Sequence, residues 1–314
     1  MVRDFRGILL DVVKGTVATG LLFVAYLKLP VLGMLAGIFT PYPALYFGLK
    51  RGVVSGGAIV SLTMLFLAFA GGLEAVLLYL VQAGGLSLVL PGLLKRFAFT
   101  SRALAYAVLL IVVVLALGTV GYSVANGVNV QAGIAASIKA QIAESVAFYK
   151  SKGVTGDDLQ MLQEGMDRMG AIVVRIYPAL IVIGISMIAG LNTLVLRRNA
   201  SRLPQPLPQV PFRRFRNPDY LVWVLIAAGF TLVFGNSVAG AVAVNVLLIV
   251  GCLYFLQGLA VIRNFFDTLA VPVFLRYVFY VLLAVQAYLA IVVALVGLFD
   301  LWGDFRRPRI HKNL

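Results

Sequence analysis

The sequence predicts an all-α fold: a polytopic transmembrane helix bundle with eight or nine spans and one amphipathic helical insert. Three observations carry that prediction. Apolar residues make up 61% of the 314-residue chain and charged residues only 12%, where soluble domains run near 25% charged. The mean hydropathy is +1.00. The apolar residues also fall in runs of about 20, the length a helix needs to cross a hydrocarbon core about 30 Å thick. A water-soluble globule of this size has too little interior to hide that much apolar surface. An ordinary soluble enzyme, a disordered chain and a disulfide-stapled secreted domain are excluded.

Taken in order, nine stretches qualify as spans: residues 7–27, 29–49, 52–70, 73–94, 103–124, 170–196, 220–235, 238–262 and 273–299. The first carries Asp11 and Lys14 and is too long for a cleaved signal. The second contains Pro41-Tyr42-Pro43. Each proline removes a helix donor and bends the chain, so a broken or re-entrant segment is expected where protein surrounds it. The stretch 220–235 is short for a span.

Two segments lie outside this pattern. Residues 125–169 form a polar insert holding Glu144, Asp157, Asp158, Glu164 and Asp167. Ile134, Ile138, Ile142 and Val146 recur every fourth residue, which gives one apolar helical face. Leu159, Leu162, Met166 and Met169 mark a second helix after Gly153. The pair is expected either to rest on the membrane surface or to act as a lid over an outward pocket. Residues 197–219 carry six Arg together with Pro204, Pro206, Pro208, Pro211 and Pro218. Prolines at this density make an extended linker. The chain thus divides into an N-terminal bundle 1–196 that includes the insert, a cytoplasmic linker 197–219, C-terminal helices 220–300 and a basic tail 301–314.

The net charge is +14, from 26 Lys and Arg against 12 Asp and Glu. In a soluble protein this suggests nucleic acid. Here the basic residues sit in short loops between apolar runs, as the positive-inside rule requires. Lys50-Arg51, Lys95-Arg96 with Arg102, the linker and Arg263 mark the cytoplasmic side, and Arg3 and Arg6 place the N-terminus there. The turns at Gly71-Gly72 and 235–237 have no basic residue and face outward. Nine spans would put Arg306, Arg307, Arg309 and Lys312 outside. Either one run in the last third is therefore not a full span, or the tail breaks the rule.

Ionisable and amide groups inside spans are the candidates for chemistry. Asp11 and Lys14 are three apart, on one helix face, and are expected to pair near the cytoplasmic interface. Arg175 and Arg276 lie near helix ends and should snorkel. Glu74 follows Gly71-Gly72 at an outer helix end. Gln82, Asn192, Asn236, Asn245, Gln257 and Gln286 lie deeper. Amides in a bundle ordinarily bridge helices; the alternative is convergence on a small polar substrate. Glu74, Gln82, Asn236 and Asn245 are the expected substrate-binding set. Arg213, Arg214 and Arg216 are the expected contacts to lipid head groups or to a cytoplasmic partner. The single Cys252 and the single His311 cannot build a metal site or a catalytic dyad. The phosphate loop, the His-Glu-x-x-His site and the Gly-x-Ser-x-Gly elbow are absent. No catalytic set, metal or cofactor is expected, and the protein is expected not to be an enzyme.

Four stretches are distinctive together: LPVLGMLAGIFTPYPALYFGLKRG (29–52), FRRFRNPDYLVWVL (212–225), YFLQGLAVIRNFF (254–266) and GLFDLWGDFRR (297–307). Their order resembles the YybS-like family of bacterial membrane proteins over nearly the whole chain. That family is distantly similar to the substrate-binding S components of energy-coupling factor transporters, which are bundles of about six helices. The resemblance implies a protein of the bacterial cytoplasmic membrane that captures a small solute from outside. It further implies a membrane T component and cytoplasmic ATPases as partners. The extra C-terminal spans depart from a plain S component. The leading expectation is a transport-type protein with an outward-facing pocket and no ATPase of its own. The alternative is a membrane scaffold that recruits a cytoplasmic partner through its basic loops.

Overall fold

The structure is a computed structural model that describes residues 2–97, 99–204, 207, 211–303 and 305–306. His311, the tail residues Arg307, Arg309 and Lys312, and Pro206 and Pro208 lie outside the described residues. Among those described, regular structure is helical throughout, as expected: α1 Val2–Lys28, α2 Pro30–Phe39, α3 Tyr42–Arg51, α4 Val53–Tyr79, a π-helical turn Leu80–Gly84, α5 Gly85–Arg96, α6 Thr100–Asn126, α7 Val130–Ser151, α8 Gly156–Arg198, α9 Leu221–Phe234, α10 Ser237–Thr268, α11 Val273–Val285 and α12 Ala287–Gly303.

Six described helical stretches are long and apolar enough to cross a membrane, or seven if α11 and α12 form one bent span. The eight or nine spans expected are not confirmed by this count. Val53–Arg96 counts as a single stretch, although Gly72 (φ 71°, ψ −170°) breaks it into two runs. And α9, with 14 residues, rises only about 21 Å, less than the hydrocarbon thickness. The expected span 273–299 is broken at Gln286, where α11 and α12 meet at 111°. Gln286 is therefore an exposed hinge residue in extended conformation, not a buried amide.

The chain forms two compact units. The first comprises Met1–Val128 with Gly184–Val210, and it is a succession of hairpins. Pro30 starts α2 immediately after the turn at Leu29, and a Cβ at Gly33 would lie 2.6 Å from the Ala25 carbonyl oxygen. The helices α2 and α3 follow one another across Thr40-Pro41, the break that the prolines predict. Gly52 (φ 112°) turns the chain into α4, so that Gly48 and Gly56 face each other at van der Waals contact. Gly72 reverses it again: Gly57 then meets Leu88, and Gly48 meets Pro91. Gly85 and Ile111 then bring α5 and α6 together. Each reversal alternates ends, so Lys50-Arg51 and Lys95-Arg96 share one end of the unit while Gly71-Gly72 and Asn126 share the other.

The end of α8 completes this unit. Asn192 donates to the Ile38 carbonyl at 2.7 Å, and Asn199 donates to the Tyr42 hydroxyl at 2.9 Å. Residues 38 to 42 and 192 to 199 therefore run in parallel. Asn192 bonds a carbonyl next to the proline break, where the helical ladder is interrupted.

The second unit comprises Asn129–Ile183 with Pro211–Leu314. Asn129 caps α7 by accepting the Ala132 N–H. Gly153 (φ 93°) and Gly156 (φ 64°) turn the chain into α8. The two form the expected pair: Ile134, Ile138, Ile142 and Val146 are half-buried, and Ile138 and Ile142 close on Gly170 of α8. The predicted stripe on α8 is right at Leu159, Leu162 and Met166, but Met169 is exposed and buried Gly170 takes its place. The second amphipathic helix has no end of its own. It runs on as the 43-residue α8, roughly 65 Å long. In the same unit α10 and α12 pack antiparallel on glycine: a Cβ at Gly258 would overlap the Val293 carbonyl, and one at Gly297 the Tyr254 carbonyl.

Candidate functional site

The core of the first unit is built from three helical rows. On α1, Val12, Thr16, Thr19 and Phe23 are spaced four, three and four apart, which is one helix face. On α4, Ile59, Val60, Thr63 and Leu67 do the same. Beyond Gly72, Ala75, Val76, Tyr79 and Ala83 form the third row. The apolar members of all three rows join one buried cluster, in which Tyr79 is a member. Gly15 meets Ile59 and Gly20 meets Phe66, so α1 and the first part of α4 run in parallel with Thr19 and Thr63 at one depth. The Phe23 and Tyr79 rings meet edge to face at 5.4 Å.

Polar atoms interrupt this apolar core. The hydroxyls of Thr16, Thr19, Thr63 and Tyr79 and the amide oxygen of Gln82 are all buried without a hydrogen-bond partner. Thr19, Thr63 and Tyr79 are 0% exposed. The Thr63 hydroxyl approaches the Tyr79 phenol, yet neither oxygen has a partner at bonding geometry. Helical threonines usually satisfy themselves on the carbonyl four residues back. Thr40, Thr193, Thr231 and Thr268 of this chain do so, at 2.7–3.1 Å. Leaving a buried donor or acceptor unpaired costs about 1–3 kcal/mol, and these atoms share that state with Asn192 Oδ1, Tyr254 Oη, Asp300 Oδ1 and Arg306 Nε. The wide turn Leu80–Gly84 carries Gln82, and turns of this kind occur often at functional sites. Gly37 makes room for it: a Cβ there would lie 2.7 Å from Gln82 Nε2 and 2.6 Å from the Tyr26 ring.

An open groove of about 300 Å³ lies between α1 and α4, lined by Val13, Thr16, Val17, Leu62, Leu65, Phe66 and Phe69. Thr16 belongs both to the groove and to the cluster.

The four expected substrate residues are divided between the units. Gln82 belongs to the cluster, and Glu74 is exposed just past the Gly72 reversal. Asn236 and Asn245 lie in the second unit. Asn236 is exposed and caps α10 by accepting the Ala239 N–H at 2.9 Å. Asn245 is inserted into α8 near Pro178: it accepts from the Ala179 N–H and donates to the Arg175 and Ala241 carbonyls, each at 2.8 Å. Ala179 and Arg175 would bond each other in an unbroken helix, so the Asn245 amide replaces that ladder bond.

Asp11 is 8% exposed and takes Lys50 at 3.0 Å and Arg51 at 2.7 Å. The expected pairing with Lys14 is not formed; Lys14 is exposed, and basic residues from the end of α3 supply the counter-charge. Arg276 does not snorkel. It binds Asp267 and the Phe266 and Val271 carbonyls, each at 2.9 Å, and so closes the α10–α11 turn.

In the second unit the end of the linker is held by a buried network. Asn217 donates its N–H to Gln257 at 2.9 Å, Gln257 donates to Asp300 at 2.9 Å, and Arg306 binds Asp300 at 2.6 Å. Arg306 also binds the Arg213 and Phe215 carbonyls. Arg213, Arg214 and Arg216 remain exposed on and beside the 3-10 turn Phe212–Arg214.

Sequence reasoning missed Thr16, Thr19, Thr63 and Tyr79. The available signal is three threonines on the apolar faces of spans, where acids and amides draw attention first. Among the described residues, no three of His, Cys, Asp and Glu gather so as to hold a metal ion.

A family model described as "Predicted membrane protein (DUF2232)" matches residues 17–301. No curated protein and no solved structure matches the chain.

Proposed function

We propose a function from the premise that the chain belongs to the DUF2232 family of predicted membrane proteins: it is a transport-type protein that binds a small solute inside the helices of its first unit. The chain is an integral, multi-pass membrane protein. The finer reading places it in the bacterial cytoplasmic membrane, as a YybS-like relative of S components. One observation carries the solute: the unpaired polar atoms of Thr16, Thr19, Thr63, Tyr79 and Gln82 within an otherwise apolar core. The function is non-enzymatic. No phosphate loop occurs in the sequence, so energy comes from outside the chain, from a T component with cytoplasmic ATPases.

The test is to purify the full chain, identify co-purified small molecules by mass spectrometry, and screen solutes by thermal shift. A bound molecule, or a solute that raises Tm, supports the proposal. Absence of both overturns it. Cross-linking in native membranes should co-isolate an ATPase pair.

A second reading is favoured by the linker. Arg306 fixes the backbone of 213–215 while Arg213 and Arg214 stay exposed, which makes a held basic patch suited to a cytoplasmic partner or anionic lipid. In that case neutralising Arg213, Arg214 and Arg216 abolishes function, while Gln82→Leu leaves it unchanged.

A further inference from the structure

We propose that one end of the second unit is a docking surface for anionic phospholipid. It is formed by the linker turn Phe212–Arg214, the start of α9 and the end of α12, with arginines on the head-group phosphate and tryptophans against the acyl chains. This names the occupant of the basic patch in the second reading and rests on that patch. Three features lead to it.

The first is assembly. Arg306 donates to the Arg213 and Phe215 carbonyls, and Arg216 donates to the Leu301 carbonyl at 3.5 Å. Linker and tail therefore present one surface. Arg216 is balanced by exposed Asp219 at 3.4 Å and Arg306 by buried Asp300 at 2.6 Å. Arg213 and Arg214 are exposed, and among the described residues neither has an acid paired with it. Each guanidinium can hold a phosphate through two parallel N–H bonds.

The second is depth. Asn217 donates its N–H to Gln257 and its side-chain amide to the Leu253 carbonyl, both on α10. From its start at Ser237 to Gln257, α10 rises about 30 Å, the thickness of the hydrocarbon core. The linker turn thus lies at head-group level, on the side opposite the turn at 235–237.

The third is aromatic. The chain has only two Trp, and both are at this end. Trp223, in the first turn of α9, is 70% exposed and Trp302, in the last turn of α12, is 65% exposed. Tyr220 and Phe299 are exposed with them. Such rings mark the boundary between lipid and water. A phospholipid reaches ring and guanidinium together, whereas a soluble partner reaches the arginines alone.

The surface also sets the side of the tail. Past Gln257, α10 continues on the linker side to Thr268. The bent pair α11–α12 follows, and the chain is beside the linker again at Leu301 and Arg306. The pair is re-entrant and does not cross. The basic tail, which continues in sequence with Arg307, Arg309 and Lys312, then starts on the side of the linker, as the positive-inside rule requires.

The experiment reconstitutes the full chain in vesicles of equal parts phosphatidylglycerol and phosphatidylcholine and reads tryptophan fluorescence, which reports this surface alone. Either the phosphatidylglycerol or the phosphatidylcholine carries brominated chains, which quench tryptophan on contact. Brominated phosphatidylglycerol should quench about twofold more strongly, in keeping with two arginines near an anionic surface. Arg213→Gln with Arg214→Gln should make the two lipids equal. Lys139→Gln with Lys150→Gln, which removes the same charge from exposed positions of the α7–α8 hairpin, should leave the preference in place. In a Cys252→Ser background, Arg214→Cys and Phe305→Cys should react with an impermeant maleimide from the same face.

Equal quenching in the wild type overturns the proposal, as does quenching by neither lipid. A preference that survives in the arginine variant, or is lost in the lysine variant, also overturns it, and so does labelling of the two cysteines from opposite faces. The second reading fails differently. Loss of function in the arginine variant with equal quenching in the wild type gives the patch to a protein partner and removes the lipid. A wild-type preference with function unchanged in the arginine variant leaves the lipid surface standing and removes the scaffold.

Discussion

A buried polar side chain in this protein does one of two things, and the difference lies in where its hydrogen bonds go. Asn245 has every bond made, and made to backbone on either side of a missing ladder bond. Asn245→Leu should therefore lower stability by about 1–3 kcal/mol through the unpaired Ala179 N–H and Arg175 carbonyl, read as a lower Tm. A variant that changed solute binding while leaving Tm in place would return Asn245 to the substrate set. Asp11 is also fully used. Asp11→Ala removes the carboxylate that Lys50 and Arg51 share. Its side chain is 11% exposed and theirs 32% and 28%, so the cost should fall between exposed and buried pairs, about 1–2 kcal/mol. Denaturant titration of the purified variant checks it. The threonines of the first unit are the opposite case, being buried but unbonded.

At the scale of elements, glycine decides the folding of helices that composition alone would leave straight. Gly72 reverses a 44-residue apolar stretch at φ 71° and ψ −170°, a region essentially reserved for glycine that costs an L side chain about 1–3 kcal/mol. Gly72→Ala should lower Tm accordingly, whereas Gly57→Ala, which only touches Leu88 at 4.0 Å, should be near neutral. Between α10 and α12 the requirement is space. Gly258→Val would drive a side chain into the Val293 carbonyl, and the variant should aggregate or lose its sharp elution on size exclusion. The Gln257–Asp300 bond beside this crossing would go with it. The two runs that fall short as spans, α9 and the broken α11–α12 pair, both lie in the last third, where the charge of the tail conflicted with nine crossings.

For the molecule as a whole, the testable statement is sidedness. In a Cys252→Ser background, single cysteines at Lys50, Lys95 and Arg197 should react with an impermeant maleimide only when the cytoplasmic face is opened. A cysteine at Gly71 should react in intact cells. Labelling of Lys50 or Lys95 from outside would overturn the orientation. The packing within the first unit already brings the turns at Lys50 and Lys95 to one end, so a mixed result between these two would mean that the hairpins themselves are wrong.

The membrane class, the helical content, the alternation of basic turns, the proline break in 29–49 and the paired helices of the insert were all legible in the sequence. Each follows from a pattern local along the chain: run length, period, or the sign of a loop. The amide roles, the partners of Asp11 and the unsatisfied threonines were not legible. They depend on which residue lies opposite, and opposition is set by helix rotation and register across tens to over a hundred residues. Local patterning thus determined that this chain lives in a bilayer and which of its turns are basic. Only the tertiary packing decided which polar groups are already bonded and which are left free for something else, because a hydrogen bond is defined by two positions and the sequence states them one at a time.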